Sequence, residues 1–164
     1  SVINAIKDKK ELFGDLDFIF ILFLMIIDET DNLEYFLYKY NLSKKDQKRA
    51  HALNNFYNEK NGSKTLNELN LNKVLYYDGK QAVLDILNFK IIKTKKTDKK
   101  LLNLLERYKN KSKPSLPVVA DLLMTRYKIP EGRQLGSMLK LIEEEWIRNN
   151  FKISDKQIDN IVKD

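Results

Sequence analysis

Few carboxylates in this sequence are spaced as a catalytic metal site requires. Asp15-Leu16-Asp17 has the Asp-x-Asp spacing of a metal-binding pair. Two-metal catalysis needs that pair fixed on a strand, whereas the surrounding residues predict helices without a glycine-rich turn. We therefore interpret Asp15 and Asp17 as helix-capping residues. Glu143-Glu144-Glu145 is also acidic, but consecutive helical residues point about 100° apart and cannot converge on one ion.

The nucleophiles and the imidazole lack the partners that would activate them. His51 is the only histidine and the sequence has no cysteine, so a His/Cys metal site is not expected and His51 is predicted to lie on a helix face. Ser43 and Ser137 have no predicted base nearby. The glycine-rich loops that cradle nucleotide phosphates are also missing. We predict no catalytic residue, no metal site and no cofactor in this chain.

Positive charge is concentrated between residues 90 and 113, which we call the basic segment. It contains ten Lys and Arg residues against two acids, so it carries +8 while the whole chain carries +7. The ten are Lys90, Lys93, Lys95, Lys96, Lys99, Lys100, Arg107, Lys109, Lys111 and Lys113. Such a stretch is typical of surfaces that bind the phosphate backbone of nucleic acid.

A less specific interpretation of the basic segment stays open. The chain is rich in Lys, Asn and Ile, which is also the bias of an A/T-rich genome, and most lysine runs are solvated helix faces. The candidates for stacking on bases are Tyr76, Tyr77, Tyr108 and Tyr127, although tyrosines at helical spacing are more often core residues.

The elements that must position these residues are predicted to be helices. The spacing of apolar residues, with only five glycines and three prolines, predicts an all-α fold, a bundle of about eight to ten helices. Predicted N-caps are Asp17, Thr30 or Asp31, Ser43 with Asp46, and Ser154. The apolar run 18–27 is about half the length of a membrane span, so we predict a buried helix and no membrane segment. It also lacks the basic start and the cleavage site of a signal peptide.

Two helical subdomains are predicted, a body at 1–110 and a tail at 114–164. Asn110 to Ser115 is polar and aperiodic, as expected of a boundary. In the tail, prolines 114, 117 and 130 delimit a short helix, and Gly132 opens a turn into a longer helix. Gly136 lies near the start of that helix, where we expect it to admit the close approach of another backbone.

Three motifs occur in an order that resembles a known family. They are Tyr40-Asn41-Leu42-Ser43-Lys44-Lys45-Asp46; Leu75-Tyr76-Tyr77-Asp78-Gly79 followed by Ala82, Val83 and Asp85; and Leu116-Pro117-Val118, Asp121-Leu122-Leu123, Gly132-x-x-Leu135-Gly136-x-x-Leu139, Trp146-Ile147 and Phe151. This order resembles the C-terminal part of bacterial tRNA nucleotidyltransferases, the CCA-adding enzymes and related poly(A) polymerases. That family usually carries a glycine shortly before the Asp of its Pro-to-Asp-Leu segment, where this chain has Val119-Ala120.

The resemblance implies a role in RNA processing. It implies that this chain holds and orients tRNA or another RNA, and that a separate catalytic head adds nucleotides with Mg²⁺ and CTP or ATP. The chain itself would then be inactive, and Ser1 without an initiator Met leads us to expect a piece trimmed at a domain boundary. The parent protein would be a cytoplasmic nucleotidyltransferase. Pro117, Asp121, Gly132, Leu135, Gly136 and Trp146 would form its structural motif.

A second hypothesis comes from a different class of protein. The chain could be a helical protein-interaction module that docks on a partner domain through an apolar face around Trp146, Phe151 and Ile153. RNA binding through lysines weakens steeply with salt, whereas apolar docking does not.

Overall fold

Every regular element in the described part of the chain is an α-helix. The computed structural model describes residues 2–8, 11, 16–27, 32–58, 65–94 and 98–163. Within these ranges the helices are α1 (Val2–Asp8), α2 (Phe18–Ile26), α3 (Asn32–Tyr40), α4 (Lys44–Tyr57), α5 (Glu68–Tyr77), α6 (Lys80–Lys93), α7 (Lys99–Asn110), α8 (Ala120–Tyr127), α9 (Arg133–Arg148) and α10 (Asp155–Lys163). The prediction of an all-α fold is confirmed.

Contacts between residues group the chain into two compact units. The first comprises Ser1–Leu66 and Val74–Lys113, and the second comprises Asn67–Lys73 and Pro114–Asp164. Helix α5 contributes its first residues to the second unit and its last residues to the first. The assignment of residues 1–110 to an RNA-binding body and of 114–164 to a tail stays a prediction.

Helix α6 forms the centre of the first unit. Eight of its side chains are buried, and α1, α4 and α7 pack against it. A helix that is covered on several sides must be apolar around most of its circumference, which explains its Val, Leu, Ile and Phe residues. Asp85 is the exception, a carboxylate buried among them.

Local capping residues determine where several helices begin, as predicted. The Asp17 side chain accepts a hydrogen bond from the Phe20 N–H at 2.8 Å, and Ser43 Oγ accepts one from the Asp46 N–H at 3.2 Å. Ser154 Oγ accepts from the Gln157 N–H while Gln157 Oε1 accepts from the Ser154 N–H, a reciprocal capping box. Thr30, Asp31 and Asp15 lie outside the described residues.

Helix α2 differs from its prediction as a buried element. Phe20, Phe23 and Leu24 are buried, but Phe18 and Met25 are 70% and 61% exposed. The two exposed residues are seven positions apart and share one face, so only one side of this apolar helix is covered. None of the helices in the described ranges has the length and apolarity needed to cross a membrane.

The second unit has an apolar core of its own. Its buried residues are Val118, Leu123, Ile129, Leu135, Ile142 and Ile158. They come from α8, α9, α10 and the segments flanking α8, and α9 packs against both α8 and α10. Lys128, the residue after α8, has the left-handed conformation (φ 58°) that ends the helix. Arg126 Nη1 then lies 3.2 Å from Asp155 Oδ1, joining α8 to α10.

Candidate nucleic-acid interface

The described part of the basic segment lies on the surface of the first unit. Lys90 and Lys93 lie in the last turn of α6, and α7 carries Lys99, Lys100, Arg107 and Lys109. All six side chains are exposed. Lys111 is half-buried and Lys113 exposed in the segment after α7. Lys95 and Lys96 lie outside the described residues.

The apolar face of α7 determines the direction of its charges. Leu101, Leu105 and Tyr108 are buried, and their spacing of four and three residues places them on one side of the helix. Lys99 lies nearly opposite to that side, whereas Lys100 and Arg107 lie on one flank of it, seven residues and therefore about 10 Å apart. The Asp98 carboxylate caps α7 by accepting the Lys100 N–H at 2.9 Å.

Local contacts separate the basic side chains into two groups. Lys109 Nζ lies 3.8 Å from Glu106 Oε2, Lys93 Nζ lies 5.3 Å from the centre of the Phe89 ring, and Lys111 Nζ lies 4.8 Å from that of Tyr108. Burial, together with the nearby charge of Arg107, lowers the pKa of Lys111. Lys90, Lys99, Lys100 and Lys113 form no ion pair within the described ranges. The charges of these four lysines are therefore not neutralised by an ion pair to any residue in the described ranges.

The tyrosines named as candidates for stacking on bases are mostly engaged within the protein. Tyr108 is 0% exposed, so it is not available to bases and its interpretation as a core residue is confirmed, because its spacing with Leu101 and Leu105 places it on the buried face of α7. The Tyr127 hydroxyl donates to Asp159, and its ring lies 5.3 Å from the Arg126 guanidinium. The rings of Tyr76 and Tyr77 meet edge to face, and Tyr77 is 49% exposed.

The most exposed tyrosines lie elsewhere and were missed from the sequence. Tyr35, Tyr38 and Tyr40 of α3 are 65%, 88% and 57% exposed. The sequence did contain a signal for this exposure, because the helical spacing places Tyr35 and Tyr38 on the side of α3 opposite to the buried Leu33 and Leu37.

A buried arginine was also missed. Arg49 on α4 is 8% exposed and Asp85 on α6 is 1% exposed. Arg49 Nε donates to Asp85 Oδ2 at 2.8 Å and Nη2 donates to Asp85 Oδ1 at 3.1 Å, a two-point contact between the helices. Nη2 also lies 2.8 Å from Asp17 Oδ2, and Nη1 lies 3.6 Å from Asp46 Oδ1. This cluster, which we call the Arg49 network, joins the N-terminus of α2 to α4 and α6.

The Arg49 network changes the ionisation of its members. Burial raises the pKa of Asp85, and this effect exceeds the opposing effect of its hydrogen bonds from Arg49 and Gln81. At Asp17 burial acts in the same direction, but the hydrogen bonds from Arg49 and the Phe20 N–H outweigh it and lower the pKa. Burial opposes the charge of Arg49, yet its hydrogen bonds to the two carboxylates raise its pKa. We therefore interpret the Arg49 network as a structural feature that joins α2, α4 and α6.

The residues of the predicted structural motif occupy both buried and exposed positions of the second unit. Leu135 and Trp146 are buried, at 5% and 2% exposure. Gly132 immediately precedes α9 with φ +140°, a conformation essentially restricted to glycine. Pro117 and Asp121 are exposed, Asp121 in the first turn of α8.

The prediction for Gly136 is wrong. A Cβ added at Gly136 would meet nothing within 4 Å, so no backbone approaches it. The reason is its phase on α9: Leu135 turns toward the core, which leaves Gly136 exposed. It borders a shallow groove of about 440 Å³ with Leu116, Val119, Leu139 and Lys140 among its lining residues.

The apolar docking face of the second hypothesis is also corrected. Trp146 is buried and meets the Phe151 ring edge to face, with ring centres 5.0 Å apart. Phe151 and Ile153 are half-buried. Trp146 packs inside the molecule because it follows Leu135 and Ile142 on the buried face of α9.

The remaining polar candidates have local partners. His51 Nδ1 lies 3.3 Å from Glu34 Oε1 on α3. Glu145 binds Arg148 at 2.9 Å and Asn149 at 2.8 Å. Within the described ranges, no group of three or more His, Cys, Asp or Glu residues is arranged to hold a metal ion.

Comparison with known proteins identifies the family of this helical chain. Neither curated proteins nor solved structures gave a match. A family model, however, matches residues 15–162, which include α2 to α9, the Arg49 network and the basic segment. Its description is tRNA nucleotidyltransferase domain 2. Since the match spans most of the sequence, the chain belongs to the tRNA nucleotidyltransferase domain 2 family.

Proposed function

We propose that this chain is an RNA-binding helical region that holds and orients tRNA for nucleotide addition. The observation that carries the proposal is the exposed basic face of α7 and its flanks, in a chain of a tRNA nucleotidyltransferase family. Lys90, Lys99, Lys100 and Lys113 have no ion pair to any described residue, so neutralising a phosphate would not require breaking one.

The chemistry of nucleotide addition would then belong to a separate catalytic head of a cytoplasmic parent enzyme. We place Mg²⁺ and CTP or ATP with that head, which would be of the bacterial CCA-adding or poly(A) polymerase type. This chain alone is expected to add no CTP or ATP to tRNA when Mg²⁺ is supplied. Incorporation by a preparation free of full-length enzyme would contradict that division of roles.

The RNA-binding role is tested by removing charge from the basic segment. Changing Lys90, Lys93, Lys99 and Lys100 to Gln should weaken tRNA binding and leave the fold intact, because exposed lysines contribute little to stability. The slope of log affinity against log salt should become shallower by roughly 0.7 to 0.9 for each phosphate that the variant no longer neutralises. Binding is measured by fluorescence anisotropy of labelled tRNA over a salt series, with circular dichroism to check folding.

A matched variant controls for net charge. Changing Lys140, Lys152, Lys156 and Lys163 to Gln removes the same charge from exposed positions of the second unit. If the proposal holds, this control keeps an affinity and a salt slope closer to those of the unmodified chain. Equal effects of the two variants would mean that only net charge matters. If neither variant changed tRNA binding, the abundance of lysine would reflect genome composition and not RNA binding.

A further inference from the structure

The outward face of α3 presents two neighbouring aromatic rings to solvent. Tyr35 and Tyr38 are 65% and 88% exposed. Residues three apart on a helix are neighbours, and Leu33 and Leu37 occupy the buried side. The described residues of the first unit therefore leave most of the surface of these two rings uncovered.

A lysine lies among the rings at the end of α3. Lys39 Nζ is 5.7 Å from the ring centre of Tyr35 and 5.5 Å from that of Tyr40. Tyr40 is itself 57% exposed and contacts the Phe36 ring, with centres 4.6 Å apart. Surfaces that bind single-stranded nucleic acid combine these two features, since bases stack on exposed rings and cations meet the intervening phosphates.

A polar groove lies on the adjoining helix α4. The Glu34–His51 contact at 3.3 Å links α3 directly to this groove. The groove has a volume of about 360 Å³. Lys44, Lys48 and His51 of α4 are among its lining residues. Lys48 Nζ donates to the Tyr77 carbonyl at 2.6 Å and lies 4.0 Å from Asp78 Oδ1, and Lys44 is exposed at the start of the helix.

We propose that the α3–α4 corner binds unpaired nucleotides of RNA, with bases stacked on Tyr35 and Tyr38 and the backbone directed toward Lys44 and Lys48. This inference rests on the proposed function, in that the chain must bind RNA, but it uses no residue of the basic segment. RNA fits better than a protein partner because the surroundings of the rings are charged. Protein hot spots lie in desolvated apolar surroundings, whereas Lys39 and Glu34 flank these tyrosines.

The test compares two labelled RNA hairpins that differ only in a short single-stranded 3′ extension. Dissociation constants are measured by fluorescence anisotropy at one salt concentration. The Tyr35→Ala/Tyr38→Ala variant should lose the extra affinity that the extension provides, by roughly fivefold or more for each tyrosine. The matched Tyr35→Phe/Tyr38→Phe variant keeps both rings and should retain it. Lys44→Gln/Lys48→Gln should reduce the same extra affinity.

The outcomes separate this inference from the proposed function. If the alanine variant binds the extended hairpin as tightly as the unmodified chain, the inference is wrong and the tyrosines are left for a protein partner. If the blunt hairpin binds and the extension adds nothing, only the inference fails. If the extension adds affinity through the tyrosines while the basic-segment variant binds normally, the inference holds and the role of the basic segment fails. If neither hairpin binds, both are refuted.

Discussion

Replacing Asp85 with Asn should destabilise the first unit substantially. Asp85 is 1% exposed and provides two of the hydrogen bonds of Arg49, at 2.8 and 3.1 Å. Breaking a buried ion pair by removing one partner typically costs 3–5 kcal/mol. Because Asp17 still lies 2.8 Å from Arg49, the guanidinium would keep one close carboxylate. We therefore expect a loss of about 3 kcal/mol in the free energy of unfolding, at the lower end of that range.

The loss is measured by urea denaturation followed by circular dichroism at neutral pH. Glu34→Gln serves as the matched control, since it removes a carboxylate whose side chain is 69% exposed and whose partner is His51. That change should cost less than about 0.5 kcal/mol. A double-mutant cycle combines Arg49→Met with Asp85→Leu. The double variant should lose clearly less free energy of unfolding than the two single variants added together, because each single variant leaves one buried charge without its main partner and the double variant removes both charges.

One result would refute this reasoning about the Arg49 network. If Asp85→Asn costs less than about 1 kcal/mol, as an exposed pair would, the two-point contact does not hold α4 to α6 in solution. Strict additivity in the cycle would lead to the same conclusion.

Two further predictions concern the glycines of α9 and the cap of α2. Gly136→Ala should raise the free energy of unfolding by about 0.5–1 kcal/mol, because the helical site is open and Ala is the better helix former. Gly132→Ala should lower the free energy of unfolding by about 1–3 kcal/mol, because residues with a side chain rarely adopt φ +140°. Denaturation curves that show Gly136→Ala destabilised would mean that a backbone approaches there after all. The lowered pKa of Asp17 means that its contribution is present above its ordinary value of 3.8 and is lost as pH falls through and below that value. Asp17→Asn keeps a capping oxygen but loses the charge, so its stability deficit relative to the unmodified chain should shrink as the pH is lowered toward 3.8 and below; a deficit independent of pH would contradict this.

Interactions between near neighbours in the sequence were predictable. Asp17, Ser43 and Ser154 cap helices through residues three positions away, so their signal is contained in a few letters of sequence. The charge of the basic segment is likewise a property of local composition, and the buried spacing of α7 then determines which way it faces.

Interactions between distant residues were not predictable in the same way. Arg49 meets Asp17 and Asp85 across separations of 32 and 36 residues, and a charged residue in a helix is ordinarily expected to be exposed. Gly136 shows the same limitation, since a glycine in a helix does not indicate which side faces the core. For the candidate site, the sequence located the lysines, but its candidates for stacking included the buried Tyr108 and omitted the exposed Tyr35 and Tyr38.

The Arg49 network has a consequence for the rate at which the first unit unfolds. Its ion pairs close only after long stretches of chain have come together, which costs loop entropy before any stabilisation results. Interactions that are completed after the folding transition state slow unfolding and leave the folding rate almost unchanged. We therefore expect the network to act mainly on the lifetime of the folded unit, so that weakening it shortens survival against proteolysis when cleavage outpaces reclosing.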